Sequence, residues 1–252
     1  MTMKIFSIRP LRYLLVSLFW LGVWYLAAHF VGLPLILPGP VDTVAALIGL
    51  VQTGDFWRSC GYTLLRVVAG FSAAVVLGAL LGILCHFAPL AEVFLSPLRS
   101  IIKATPVTSF IMLVLLWVSK GQVPAFISFL MVLPIIWGGV QGALGATDKN
   151  LLEMAAAYRF SLGKKLRWIY FPSVWPHFLA SGMTGLGFAW KSGIAAEVIA
   201  LPAFAIGMHL YNTKIYLERA ELFAWTLTVI LLSMALETAL KKAVGRIRGG
   251  GR

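Results

Sequence analysis

The sequence predicts an all-α, polytopic membrane protein with about six transmembrane helices, and three observations predict it. Of its 252 residues 60% are apolar and only 12% charged, too little charge to cover a soluble domain of this length. Apolar runs of about 20 residues, the length that crosses a bilayer, recur along the chain, whereas the short alternating segments of a membrane β-barrel do not occur in it. The basic residues behind the net charge of +12 cluster between the apolar runs. Loop topology therefore accounts for the charge better than a nucleic-acid partner does.

The elements follow in order. Lys4, Arg9 and Arg12 precede an apolar run over 13–31. That run is longer than the core of a signal peptide, about 7–15 residues, and Ala27-Ala28-His29 is a poor cleavage site, so a retained first helix is expected over 11–31. Further spans are expected over 62–87, 101–119, 123–146, 172–200 and 221–242. The second carries Leu64, Val67, Val68, Phe71, Val75, Val76, Leu77 and Leu80. Only Ser119-Lys120-Gly121-Gln122 separates the third from the fourth, which predicts a tight turn between antiparallel neighbours. Pro106, Pro124 and Pro134 lie in or beside these helices, where neighbouring helices can satisfy the carbonyls that proline frees.

Lys and Arg divide unevenly between the loops. Lys4, Arg9, Arg12, Arg99, Lys103, Lys149, Arg159, Lys164, Lys165, Arg167, Lys241, Lys242, Arg246, Arg248 and Arg252 fall on one side, and Arg58, Lys120, Lys214 and Arg219 on the other, fifteen against four. The positive-inside rule then puts both termini and the 147–171 loop in the cytoplasm, with 32–61 and 201–220 facing outward.

Glycine recurs within the spans at Gly70, Gly78, Gly82, Gly138, Gly139, Gly142, Gly145, Gly182, Gly185 and Gly187. Small residues let membrane helices approach closely, within one chain or across a dimer seam. Cys60 and Cys85 fit no metal spacing and read as ordinary apolar residues. His29, His86, His177 and His209 sit on separate segments and read as packing or interfacial residues, so no metal site is expected.

The 147–171 loop is the most informative segment. Asp148 or Asn150 can cap a helix. Leu151, Met154, Ala155, Tyr158 and Leu162 repeat at helical spacing, and Lys149, Arg159, Lys164, Lys165 and Arg167 make the rest basic. On physics alone this is a helix lying on anionic lipid, a solvated loop, or a docking element.

The same residues resemble the coupling loop of ABC importer permeases, E-A-A-x3-G-x9-I-x-L-P. Glu153 stands at the acid, Ala155 at the second alanine, followed by Ala156 and Tyr158, with Ile169 at the isoleucine and Pro172 at the proline. Met154 and Phe171 replace an alanine and the leucine, and Arg159 replaces the glycine. Arginine in a left-handed turn costs about 1 kcal/mol or more, so either the turn moves to Gly163 or position 159 is right-handed. Leu37-Pro38-Gly39-Pro40, Thr63-Leu64-Leu65-Arg66-Val67-Val68-Ala69-Gly70-Phe71, Pro172 with Pro176, and Trp190 with Ala195-Ala196-Glu197 resemble, in that order, motifs of the nitrate, sulfonate and taurine branch. That branch also takes bicarbonate and thiamine precursors.

The resemblance implies a type I ABC importer permease-like fold, a single transmembrane permease domain over 1–252 in a bacterial inner membrane. No G-x-x-x-x-G-K-[ST] occurs in the sequence. The chain is therefore expected to be no enzyme and to have no catalytic residue or cofactor of its own, with ATP and Mg acting through a partner. The implied partners are two ABC ATPase subunits on the loop, an extracytoplasmic solute-binding protein, and a second permease copy lining the pathway. Glu153 is expected to be buried near a helix N-terminus.

Charges within spans cost about 2.5–3.5 kcal/mol each and need a reason. Arg66 lies near the outer end of its span and reads as a structural tie or a solute contact. Glu237 suits a pair with Lys241 at i+4. Lys191 and Glu197 are six apart on one helix and point to different sides. Glu197 fits a role in fixing the helix or an outer gate beside Trp190. For Lys191 two readings stand, a pathway that suits an anion and a pairing with a group on another helix. A membrane enzyme would need clustered acids or histidines, and the nine acids are scattered. An ion-driven carrier would show inverted repeats, and none is evident.

Overall fold

The computed structural model describes residues 8–33 and 35–249. Of the charges used for orientation, Lys4 and Arg252 lie outside the described residues, as do the side chains of Arg9, Arg12, Arg246 and Arg248. The element order is α1 (Ile8–Val31), α2 (Pro40–Val51), α3 (Gly54–Phe87), α4 (Pro89–Ala104), α5 (Val107–Val114), α6 (Val123–Gly145), α7 (Lys149–Ala157), α8 (Leu162–Lys165), a π-helical turn (Leu166–Tyr170), α9 (Phe171–Ala200), α10 (Ile206–Ile215) and α11 (Arg219–Gly249). No strand occurs among the described residues. The chain divides into two compact units. One comprises residues up to Arg58 with His209–Ile230, the other Ser59–Met208 with the residues from Leu231 on.

The first unit is held by aromatic contacts. Trp24 of α1 stacks on Phe223 of α11 at 6.1 Å, and Trp225 meets Phe56 at 5.2 Å and His209 at 4.4 Å. The Leu37–Pro40 motif proves to be a helix start. Gly39 caps α2 in extended geometry (φ −70°, ψ 162°), and Pro40 takes a first-turn position, where its missing N–H costs nothing. The Thr43 hydroxyl donates to Gly39 O at 3.0 Å, and Trp24 Nε1 donates to Pro38 O at 3.2 Å. Leu14, Leu15, Leu18 and Phe19 on α1 stay exposed, as expected of a lipid-facing helix.

The second unit is built around α6 and α9. On α3 a face of small residues, Thr63, Val67, Gly70, Ala74, Gly78, Gly82 and Cys85, is buried at helical spacing. A Cβ on Gly70 would collide with Ala125 O, and one on Gly82 would lie 2.8 Å from Trp137 O, so α6 approaches α3 with no room for a larger side chain. The α6–α9 crossing is equally close. Gly139 admits no Cβ against Ser181, and the Ser128 hydroxyl donates to Ala189 O at 2.9 Å.

Several expected boundaries move. Four described helices are long and apolar enough to cross a membrane: Leu14–Val31, Gly54–Phe87, Val123–Gly145 and Arg219–Gly245. α9 has the length, 30 residues, but carries His177, Ser181, Thr184, Lys191 and Ser192. The expected third span, 101–119, is not one helix. α4 ends at Ala104, the extended backbone of its C-cap Thr105 (ψ 129°) is what a following proline demands, and Pro106 caps the short α5. The 34 residues of α3 start at Gly54 instead of 62, a rod of about 51 Å that exceeds a bilayer core of about 30 Å. Helices α2 and α10 occupy the two segments expected to face outward, 32–61 and 201–220, where no helix was expected.

Candidate functional site

The loop after α6 folds as the spacing requires. Asp148 caps α7, its side chain accepting from Asn150 N–H at 2.8 Å. Ala155 is fully buried, while Leu151, Met154 and Tyr158 are 41%, 43% and 74% exposed. Leu162 does not continue their face, because it begins the separate helix α8. Glu153 and Ala156 are exposed, and Glu153 lies in the middle of α7, not buried at a helix N-terminus. Among the described residues nothing covers Glu153.

Arg159 has φ +51°. The turn has neither moved to Gly163, which lies inside α8, nor become right-handed. The hydrogen bonds show why. Phe160 N–H donates to Ala155 O at 2.8 Å and Arg159 N–H to Ala156 O at 3.0 Å. This nested pair is the Schellman ending of a helix, in which the residue after the cap must be left-handed. Arginine occupies the glycine conformation and bears its strain.

Beyond the turn, α8, the π turn and α9 follow without interruption from Leu162 to Ala200. Pro172 has no N–H for the Trp168 carbonyl and its ring crowds that carbonyl. The helix widens over Leu166–Tyr170, where Phe171 N–H reaches back to Leu166 O. Ser173 Oγ donates to Ile169 O at 2.8 Å, and Ile169 itself is buried. Pro172 is exposed. Phe171, Trp175 and Phe178 stack along α9 at 5.3 and 5.8 Å, as an aromatic belt does at a membrane surface.

At the other end of α9 lies a buried polar network. Glu197 is 0% exposed. Its carboxylate accepts from the Thr63 hydroxyl at 3.0 and 2.9 Å, from Gly207 N–H at 3.1 Å and from Arg66 Nη1 at 3.4 Å. The Arg66 guanidinium also donates to Phe204 O at 3.1 Å and Ala203 O at 2.9 Å, and Ile206 N–H donates to Thr63 Oγ1 at 3.1 Å. A Cβ at Gly207 would overlap Glu197. The loop between α9 and α10, with Leu201 and Phe204 at φ +49° and +50°, is thus clamped to α3. Unpairing such a buried charge costs about 3–5 kcal/mol. The sequence singles out Arg66 and Glu197 separately; the fold joins them and adds Thr63 and Gly207, which no motif flagged as ligands of the acid.

Trp190 is buried and Lys191 exposed. Glu237 and Lys241 pair at 3.7 Å, as their i+4 spacing predicts.

No protein-family model matches the chain. Among curated proteins, one of Brucella melitensis whose name reads "Probable ABC transporter permease protein" is 25% identical over 229 residues, 90% of this chain and 92% of its own length. The taurine transport system permease protein of Escherichia coli is 22% identical over 235 residues, 90% of this chain and 85% of its own. The bicarbonate transport system permease protein of a Synechocystis strain is 26% identical over 65% of this chain. Among solved structures, an amino acid ABC transporter has the same fold, with a TM-score of 0.57 at 12% identity over 75% of this chain and 92% of that one. These motifs, in this order and on this fold, match those of a multi-pass ABC transporter permease, and the names of the taurine and bicarbonate relatives support the nitrate, sulfonate and taurine branch.

Proposed function

We propose that the chain, paired with a second copy in a bacterial inner membrane with its termini in the cytoplasm, forms the pathway of an ATP-driven importer for a small anionic or zwitterionic solute. α7 is the surface that two ATPase subunits grip, ATP and Mg are bound by them alone, and an extracytoplasmic binding protein delivers the solute. The observation that carries this reading is the exposed apolar face of α7. Leu151, Met154 and Tyr158 stand unburied on a helix locked at both ends, by the Asp148 cap and the Arg159 turn. A rigid, uncovered apolar face in a basic loop fits a protein groove better than water.

Lys191 bears on the solute. It is exposed on the span from which Glu197 is fully buried. A membrane lysine left uncovered by its own chain belongs at a pathway or subunit boundary, not against lipid. The names of the taurine and bicarbonate relatives agree with an anionic group on the solute.

Affinity purification with an epitope on this chain tests the reading. A P-loop ATPase should accompany the wild type and be lost from Glu153→Lys, with membrane insertion intact. Uptake that persists after ATP depletion and collapses with an ionophore would overturn it. Lys191→Ala should weaken uptake of the anion, and unchanged kinetics would remove the anion assignment alone.

A further inference from the structure

An open cavity of about 520 Å³ lies between the inner ends of α3, α4 and α6, at the end of α6 that leads into the basic loop. Its polar lining is Arg99, Lys103, His86 and Gln141, with no carboxylate among the lining residues. The floor is backbone. Gly138, Gly142 and Gly145 line it, and a Cβ on any of the three would meet nothing within 4 Å. These glycines therefore differ from Gly82 and Gly139, whose Cβ atoms would strike a neighbouring helix.

Arg99 is held in place from three sides. It donates to Glu92 Oε1 at 2.8 Å and to Gln141 Oε1, and lies over the Trp137 ring at 5.0 Å. A guanidinium has five N–H donors, so donors remain after these two bonds. Because the Gln141 oxygen faces Arg99, its amide NH2 points elsewhere as a further donor. Glu92 offsets Arg99, but among the described residues no carboxylate pairs with Lys103. Among the described residues Glu92 Oε2 and Trp137 Nε1, on side chains that touch Arg99, reach no hydrogen-bond partner beyond the weakly polar Cys85 thiol of the same lining.

We propose that this cavity is an oxyanion site, taking a phosphate, sulfonate or carboxylate group on Lys103, Arg99 and Gln141. Lys103 without a carboxylate partner, spare donors on Arg99 and Gln141, a net positive lining and a backbone floor close to them suit an anion better than a cation, with Glu92 held on Arg99 outside the lining. The group has two sources, the headgroup of an inner-leaflet anionic phospholipid or a free oxyanion in solution. The inference rests on the cavity and not on the transport assignment.

The test uses the permease purified in its membrane assembly and placed in phosphatidylcholine nanodiscs. One arm titrates inorganic sulfate by calorimetry. The other adds phosphatidylglycerol and counts retained lipid by native mass spectrometry. Lys103→Gln removes the unpaired charge, and Gly142→Val fills the cavity without touching the core. Saturable sulfate binding weakened roughly tenfold in both variants, the factor for one lost charge-assisted bond, supports the site with a free anion. Phosphatidylglycerol held by the wild type and lost from both variants supports it with a lipid. A wild type that binds neither probe, or variants that bind either as the wild type does, would overturn the proposal.

Discussion

At position 159 the usual preference between glycine and alanine should be reversed. Inside a helix alanine is better than glycine by about 1 kcal/mol. At Arg159, with φ +51°, the left-handed backbone costs any L side chain about 1–2 kcal/mol that glycine does not feel. Glycine gives back about 0.4–1 kcal/mol through the greater freedom of the open chain. The balance is ~1 kcal/mol in favour of Arg159→Gly over Arg159→Ala, roughly fivefold in the opening equilibrium of the turn. Both variants remove the same charge, so their difference isolates the backbone. Hydrogen exchange of the Arg159 and Phe160 amides, whose bonds to Ala156 and Ala155 close the turn, should be about fivefold slower in the glycine variant. At Ala156, inside α7, Ala156→Gly should speed exchange instead. Equal or better protection in Arg159→Ala would refute the left-handed assignment and with it the Schellman ending.

Three further outcomes follow from the packing. Thr63→Val leaves Glu197 and Ile206 N–H each short of a partner, at about 1–3 kcal/mol per group, while Thr63→Ser should restore the wild-type midpoint in denaturant unfolding of the solubilised protein. Gly139→Ala drives a methyl into Ser181, whereas its neighbour Gly138→Ala meets open space, so membrane yield should drop for the first and hold for the second. Burial holds His209 below its ordinary imidazole value of 6.5, although Asp55 Oδ2 at 3.3 Å pulls the other way. As pH falls below 6.5 the unfolded chain takes the proton first, so stability present above that pH is lost toward the lower folded-state value. A thermal-unfolding series across this range should flatten in His209→Gln.

Much of this architecture is legible because bilayer thickness and helical rise set run lengths directly. The α6 span and the i+4 pair of Glu237 with Lys241 follow from local rules. The break before Pro106 was also readable, since the residue ahead of proline is pushed out of helical geometry. The apolar run over 101–119 outweighed that signal. α4 mixes Glu92, Arg99 and Lys103 with apolar residues, so no hydropathy window isolates it. The bond between Arg66 and Glu197 joins residues 131 apart, and no local pattern in a single sequence encodes that pairing. Nor can spacing sort the glycines. Gly138 and Gly139 are adjacent, yet one opens onto a cavity and the other carries a helix contact.

If ATPase subunits grip α7 as proposed above, the two ends of α9 define how a push on the loop is carried. At one end the Arg159 turn and the Asp148 cap fix α7 in a single geometry, so a force on its exposed face moves the turn as a body. From Leu162 to Ala200 the helix is uninterrupted, and Glu197 near its far end is bonded to Thr63, Arg66 and Gly207. A rod anchored at one end and moved at the other must rock or bend. Its weakest place is the stretch where Pro172 and Pro176 remove backbone donors and the π turn replaces α geometry. Bending there would leave the Glu197 network intact and swing the Phe171 and Trp175 rings at the membrane surface. Rocking would instead break the Arg66 bonds to Ala203 and Phe204. Spin-label distances between positions 162 and 184 in nucleotide-free and ATP-trapped assemblies separate the two. A change across the prolines with no change between 184 and 66 is the expected result, and the reverse would place the moving part at the Glu197 network.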